Sequence, residues 1–152
     1  MNFAEKGDMK IAVKVAYDTF APLEAGVKTF ERIIKPIVKT VRLISENSVQ
    51  TEVVGYFETV KITADTVYGD NANEYLYSLA ECVGRNCKTE IFLYSSNDET
   101  AVANTFSGKR YPVTAAVTKL CGDSANIPGF YGFEAEFYIN GSGIYEEREI
   151  LR

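Results

Sequence analysis

The stretch Asp70–Gly84, DNANEYLYSLAECVG, decides the fold, because it is the segment with helical periodicity in a chain patterned for strands. Asp70 or Asn71 can cap a first turn, where backbone N–H groups lack intrahelical acceptors. Apolar side chains then recur at Ala72, Tyr75, Leu76, Leu79, Cys82 and Val83, which form one face at helical spacing. Gly84 supplies the left-handed residue that commonly ends a helix. The helix is therefore expected over about 70–83.

Outward from it, the pattern has period two. Lys10–Ala16 alternates, with Ile11, Val13 and Val15 on one face. Asp18–Lys28 contains Pro22 and Gly26 and reads as a loop. Thr29–Ile34 reads as a short strand that Pro36 either interrupts or places at a sheet edge. Thr40–Ile44 and Thr51–Tyr56 flank the turn-forming Ser45-Glu46-Asn47-Ser48, a hairpin pattern. Strand character continues through Val67, and Gly55 within it marks a bulge or bend. Beyond the helix, Thr89–Tyr94 and Tyr111–Leu120 read as strands, with polar loops at Ser95–Ser107 and Cys121–Gly129. Tyr131–Ile139 and Ile144–Leu151 alternate around Gly141-Ser142-Gly143 and are expected to pair as a hairpin. The fold class is mainly β: a sandwich or barrel of about eight strands with one flanking helix.

A chain of 152 residues suits one domain, 1–152, in which residues 1–40 have no role assignable from pattern. Hydrophobic content of 46% with 24% charged residues places it in the soluble globular class. Its apolar runs fall far short of the roughly 20 residues that span a bilayer, so membrane insertion is not expected. MNFAEKGDMK lacks the apolar stretch of a signal peptide, which points to a product made or assembled in the cytoplasm.

Chemistry is sparse. The chain has no His, which removes the commonest general base and excludes Ser–His and Cys–His nucleophiles. Cys82, Cys87 and Cys121 are odd in number and form no closed disulfide framework; Cys82 is expected to pack as a small hydrophobe. Three Cys without His also fall short of a zinc set. No phosphate-cradling loop is present. The expectation is no catalytic residue, no metal and no cofactor.

The net charge is −5, unevenly spread: residues 1–44 carry eight Lys/Arg and five Asp/Glu, and the remainder eight and sixteen. An acidic chain does not grip nucleic acid by neutralising phosphate. A basic end of one copy could instead meet an acidic end of another.

Four segments between Glu58 and Glu149 carry a family resemblance: ETVKITADTVYGDNANEYLYSL, KTEIFLY, RYPVTAAVTKLCGD and FEAEFYINGSGIYEE. In order and texture they resemble phage tail tube proteins, also called major tail proteins, and the tube proteins of phage-like contractile injection systems. The resemblance implies a β-sandwich or barrel subunit with a flanking helix. Six such subunits form a ring, rings stack, and the lumen conducts DNA or an effector. Partners are then other copies of the chain, with sheath, baseplate and terminator proteins as further candidates. DNA passes without specific binding, and the product belongs to the virion, assembled in the host cytoplasm. A terminator or baseplate ring protein is the alternative within that class.

Particular residues follow. Glu134 and Glu136 share one strand face and are candidate acids of an acidic lumen; as a catalytic pair they lack the split environments such chemistry needs. Val53, Val54 and Tyr56 are candidates for a contact between subunits or for core. Asp98 and Glu99 could pair with Lys10, Lys14 or Lys39 of a neighbour. From a different class, a carbohydrate-binding β-sandwich could use Tyr68, Tyr75, Tyr77, Tyr94 or Tyr138, and a carboxylate hydrolase is a further reading.

Overall fold

A computed structural model describes residues 9–24, 27–43, 48–67, 69–123 and 131–150. Eight strands form one antiparallel sheet: β1 (Met9–Ala16), β2 (Thr19–Pro22), β3 (Val27–Leu43), β4 (Ser48–Asp65), β5 (Lys88–Glu99), β6 (Thr105–Asp123), β7 (Tyr131–Ile139) and β8 (Ile144–Glu149). The order is β2-β1-β5-β6-β7-β4-β3, with β8 also on β6. The sheet is not closed, so the mainly β expectation with one helix stands and the architecture is an open, curled sheet.

The curl wraps one apolar face into a core. Ile11 and Val13 of β1, Ile91 of β5, Val113 of β6, Phe137 of β7 and Ile62 of β4 meet there. The helix α1 (Asn71–Ser78) fills the cup with Ala72, Leu76 and Leu79. A second, smaller cluster lies on the other face of β1 and β5, where Ala12, Phe20, Phe92, Tyr94 and Ile150 pack. A parallel bridge from Phe20 to Ile150 brings the end of β8 round to β2 and covers that cluster.

Local chemistry explains the helix start. The Asp70 carboxylate accepts from the Asn73 backbone N–H at 3.0 Å, and Glu74 reaches back to the Gly69 N–H at 2.9 Å. Asn73 is fully buried, donating to the Asp65 carbonyl at 2.7 Å and accepting from the Val67 N–H at 3.0 Å. It thus ties the helix to the end of β4 and leaves neither amide group of its side chain unpaired. The helix is shorter than 70–83. Glu81, at φ 67°, is the first left-handed residue after it; Gly84, at φ 65°, opens a 3-10 turn over Gly84–Cys87. Cys82 packs against the main core and is in addition disulfide-bonded to Cys87, while Val83 points to solvent.

Three further expectations change. The segment read as a loop at Asp18–Lys28 contains β2, four residues long and buried on both faces from Phe20 to Pro22, so it shows no alternation to read. The Ser95–Ser107 loop shrinks to residues 100–104, because β5 and β6 extend into it, with Ser96–Glu99 exposed and Thr105–Ser107 half-buried. The terminal pair is not a hairpin. β7 pairs with β6 over Val113–Asp123 and β8 pairs with β6 over Thr105–Arg110, both antiparallel to it. They are one strand path along one edge of β6, interrupted at residues 140–143. Those four residues stand opposite Tyr111 and Pro112, and the Asn140 N–H donates to the Pro112 carbonyl at 2.8 Å. Glycine is needed at the interruption: a Cβ on Gly143 would lie 2.6 Å from the Tyr111 ring.

Candidate assembly surface

β3 and β4 pair from Val27↔Ala64 out to Leu43↔Ser48. β7 covers β4 only over Thr59–Asp65. From Ile34↔Glu58 outward the hairpin is therefore a bare two-stranded arm, roughly 30 Å long at strand rise. β3 passes straight through Pro36, which an edge strand tolerates. A bulge sits where Ile37↔Gly55 gives way to Val38↔Val53, leaving Val54 as the extra residue beside the glycine that marked it in the sequence.

The arm is apolar and in solvent. Val53, Val54, Tyr56 and Phe57 are 54%, 58%, 60% and 69% exposed, and Ile34 and Val38 are exposed as well. An isolated ribbon of two strands is marginal in water, and exposed apolar patches of this kind mark contact surfaces. Between Ile34 and Phe57 its described residues carry Lys35, Lys39 and Arg42 against Glu52 alone. The sequence-derived candidates Val53, Val54 and Tyr56 thus lie together on this arm and outside the core.

The arm leaves the body at a fork. One branch is the arm; the other is β6 with β8, curling toward β2. Arg32 sits in the crotch, ion-paired with Glu58 at 2.5 Å and donating to the Tyr111 hydroxyl at 3.3 Å. At the base of β3, Lys28 pairs with Asp65 at 2.8 Å, both side chains largely shielded from water.

The sheet face away from the core is polar. Register puts Lys61 across from Glu31 on one side and Glu136 on the other, Glu134 between Thr63 and Lys119, and Tyr138 between Thr59 and Thr114. Lys88 lies across from Thr114. Three lysines thus interleave with three glutamates, so the face bearing Glu134 and Glu136 is balanced in charge rather than acidic. The Tyr138 hydroxyl donates to Glu136 at 2.6 Å, which, with burial, holds the phenol above its ordinary pKa of 10.0. The depression beside Glu134 is about 40 Å³, little more than one water.

Other candidates separate. Lys14 is paired with Glu90 of its own chain at 3.3 Å and heads a chain of alternating charges through Arg110, Glu146 and Arg148 to Asp18. Lys10 is on β1 opposite Tyr94. Asp98 and Glu99 are exposed at the end of β5, where the Glu99 carboxylate accepts from the Asn104 N–H at 3.3 Å. The tyrosines form no shared platform. Tyr94 is 4% exposed within the second cluster, Tyr75 packs against the main core, Tyr77 meets Phe133 edge-on, and Tyr138 is on the polar face. Tyr68 lies outside the described residues. Among the described residues no group of three or more His, Cys, Asp or Glu could hold a metal. No helix among them is long and apolar enough to cross a membrane.

No family model matches the sequence, and no curated protein matches it. The structure does find a counterpart: a chain from the tail of an empty gene transfer agent (GTA) particle, determined with helical refinement and C6 symmetry. The two share a TM-score of 0.63 over 95% of this chain and 99% of that one, at 10% identity. The chain shares the fold of that tail chain. At such identity the likeness is one of architecture, and with 95% of this chain matched it extends well beyond a single motif. The described part of the first 40 residues supplies β1, β2 and most of the arm strand β3.

Proposed function

We propose that this chain is a structural, non-enzymatic subunit of a phage-like tail that assembles with copies of itself into six-membered rings stacked as a hollow tube. The observation that carries the reading is the arm: a long two-stranded ribbon, apolar on a soluble body, in a fold shared with a C6-symmetric tail. β3 ends the open sheet on one side, and its outer edge offers unpaired backbone groups; β2 ends it on the other, bridged at Phe20 to Ile150. Head-to-tail contacts around a ring satisfy such edges, and contacts that do not close on themselves stack rings into a filament. The arm then lies on a neighbouring copy, burying Tyr56 and Phe57. Its net positive charge suits the exposed acids at Asp98, Glu147 and Glu149. The polar face of β4, β7 and β6 lines the channel. Its interleaved charges and hydroxyls give a passing polyanion no continuous basic strip to bind. The product is a virion component on this reading.

The test compares wild type with a Val53→Asp/Tyr56→Asp double variant by solution mass and negative-stain microscopy. Both residues are in solvent in the free subunit, so the variant keeps the wild-type circular dichroism and melting temperature. Wild type is expected to form rings or tubes at high concentration, and the variant to stay monomeric. Rings that never stack would redirect the reading to a terminator or baseplate ring. Tubes formed equally well by the folded variant would remove the arm from assembly.

A further inference from the structure

The connection from α1 to β5 carries a cysteine pair that the tail reading does not use. Cys82 and Cys87 form a disulfide with Cα atoms 5.7 Å apart. Cys87 is buried, Cys82 is half-buried, and the four residues between them, Val83 to Asn86, are all exposed. The bond therefore sits under an open loop that a small thiol can reach. The Cys82 sulfur also lies 4.0 Å from the Ala115 carbonyl oxygen of β6. In the thiol form that carbonyl accepts the S–H, so reduction strands no buried donor. The site thus accommodates both redox forms. The backbone here reverses twice, at Glu81 and Gly84, both left-handed, and the cross-link spans the second reversal. Disulfides open in reducing compartments and persist in oxidising ones, so a chain that experiences both would change state at this pair.

We infer that Cys82 and Cys87 are a reversible redox staple that fastens the end of α1 to the start of β5. In the closing reaction a thiolate of one cysteine attacks a low-molecular-weight disulfide, forming a mixed disulfide and expelling one thiol. The second cysteine thiolate attacks the bonded cysteine sulfur and expels the other. Two cysteines are oxidised, one external disulfide is reduced to two thiols, and the two cysteine protons end on those thiols. An external dithiol reverses the sequence. Closing a loop this short restricts the unfolded chain modestly. The expected gain is about 5 °C in melting temperature for a chain of this size. The inference rests on the fold alone and is independent of tail assembly.

The experiment uses the full chain carrying Cys121→Ser, so that two thiols remain to be counted. It is equilibrated with dithiothreitol or with oxidised glutathione, then alkylated under denaturing conditions and weighed. Two alkylations are expected after dithiothreitol and none after oxidised glutathione. The oxidised form melts about 5 °C higher, and amides over residues 79–88 exchange more slowly, with the strand amides unchanged. A Cys82→Ser/Cys87→Ser variant melts identically in both buffers. If Cys121→Ser disturbs folding, peptide mapping of the wild-type chain reads the same two thiols. Two free thiols after oxidised glutathione, or equal melting of the two forms, would overturn the staple.

Discussion

Arg32 lies over the ring of Tyr111, its guanidinium carbon 5.3 Å from the ring centre, and so fixes the long hairpin to the body at the point where the sheet divides. The same arginine holds Glu58, its diagonal neighbour on β4, and donates to the Tyr111 hydroxyl. Replacing it with a residue of similar bulk separates charge from packing. Arg32→Met is expected to cost about 1 kcal/mol, since the group is partly exposed and screening weakens the pair. Hydrogen exchange should rise in residues 30–36 and 55–60 and stay unchanged in β5 and β6. Uniform loss of protection would mean that Arg32 supports the whole core rather than the fork.

Gly143 is the other half of that fork. A methyl group there meets the Tyr111 ring, which is 6% exposed and has little freedom to retreat. Gly143→Ala is expected to destabilise by about 1–3 kcal/mol in urea denaturation. A variant with wild-type stability would show that β8 can shift along β6, and that the interruption at residues 140–143 is not fixed by sterics.

Asn73 is a buried polar residue whose amide satisfies two backbone groups beyond its helix. Asn73→Ala leaves the Asp65 carbonyl and the Val67 N–H without that partner, and a loss of about 2–3 kcal/mol is expected. A loss under 1 kcal/mol would indicate that water or the backbone takes over both bonds.

The turn between β1 and β2 provides a pH test. Arg148 donates to Asp18 at 2.6 Å, and this bond, with the accompanying charge attraction, holds the Asp18 carboxyl below its ordinary 3.8. A carboxyl depressed in the folded state contributes stability that is present above its unfolded pKa and is lost as pH falls through the folded one. The melting-temperature difference between wild type and Asp18→Asn should therefore be present at neutral pH and shrink as the pH falls below the ordinary 3.8 and through the depressed folded value. A difference that persists below that value would assign the effect to the strained backbone at Asp18, where φ is 52°.

How much of this was legible follows from which signals are local. The Asp70 cap and the Ala72, Leu76 and Leu79 stripe are set within one turn of chain, and they appear as read. Gly55 announced its bulge for the same reason. The helix end was not legible, because Glu81, a residue with no glycine-like signal, takes the first left-handed position ahead of Gly84. The β7–β8 path was misread because alternation is identical for a hairpin and for one interrupted strand; only the pairing with β6 separates them. Val53 and Tyr56 were ambiguous between core and contact, since periodicity records that a side chain is apolar and not what covers it. Asp98 and Glu99 remain sequence-derived candidates whose partner lies outside a single copy. Glu134 and Glu136 were placed on one face correctly, but their lysine neighbours come from β4 and β6, far away in sequence.

The most direct measurement is a helical reconstruction of particles assembled from this chain. The account predicts six copies per ring, with Val53, Tyr56 and Phe57 of each arm buried on another copy and Lys61, Lys119, Glu134 and Glu136 facing the channel. A chain that stays monomeric at every concentration and beside preformed tails, or a tube whose polar sheet face points outward with the arms free in solvent, would contradict it.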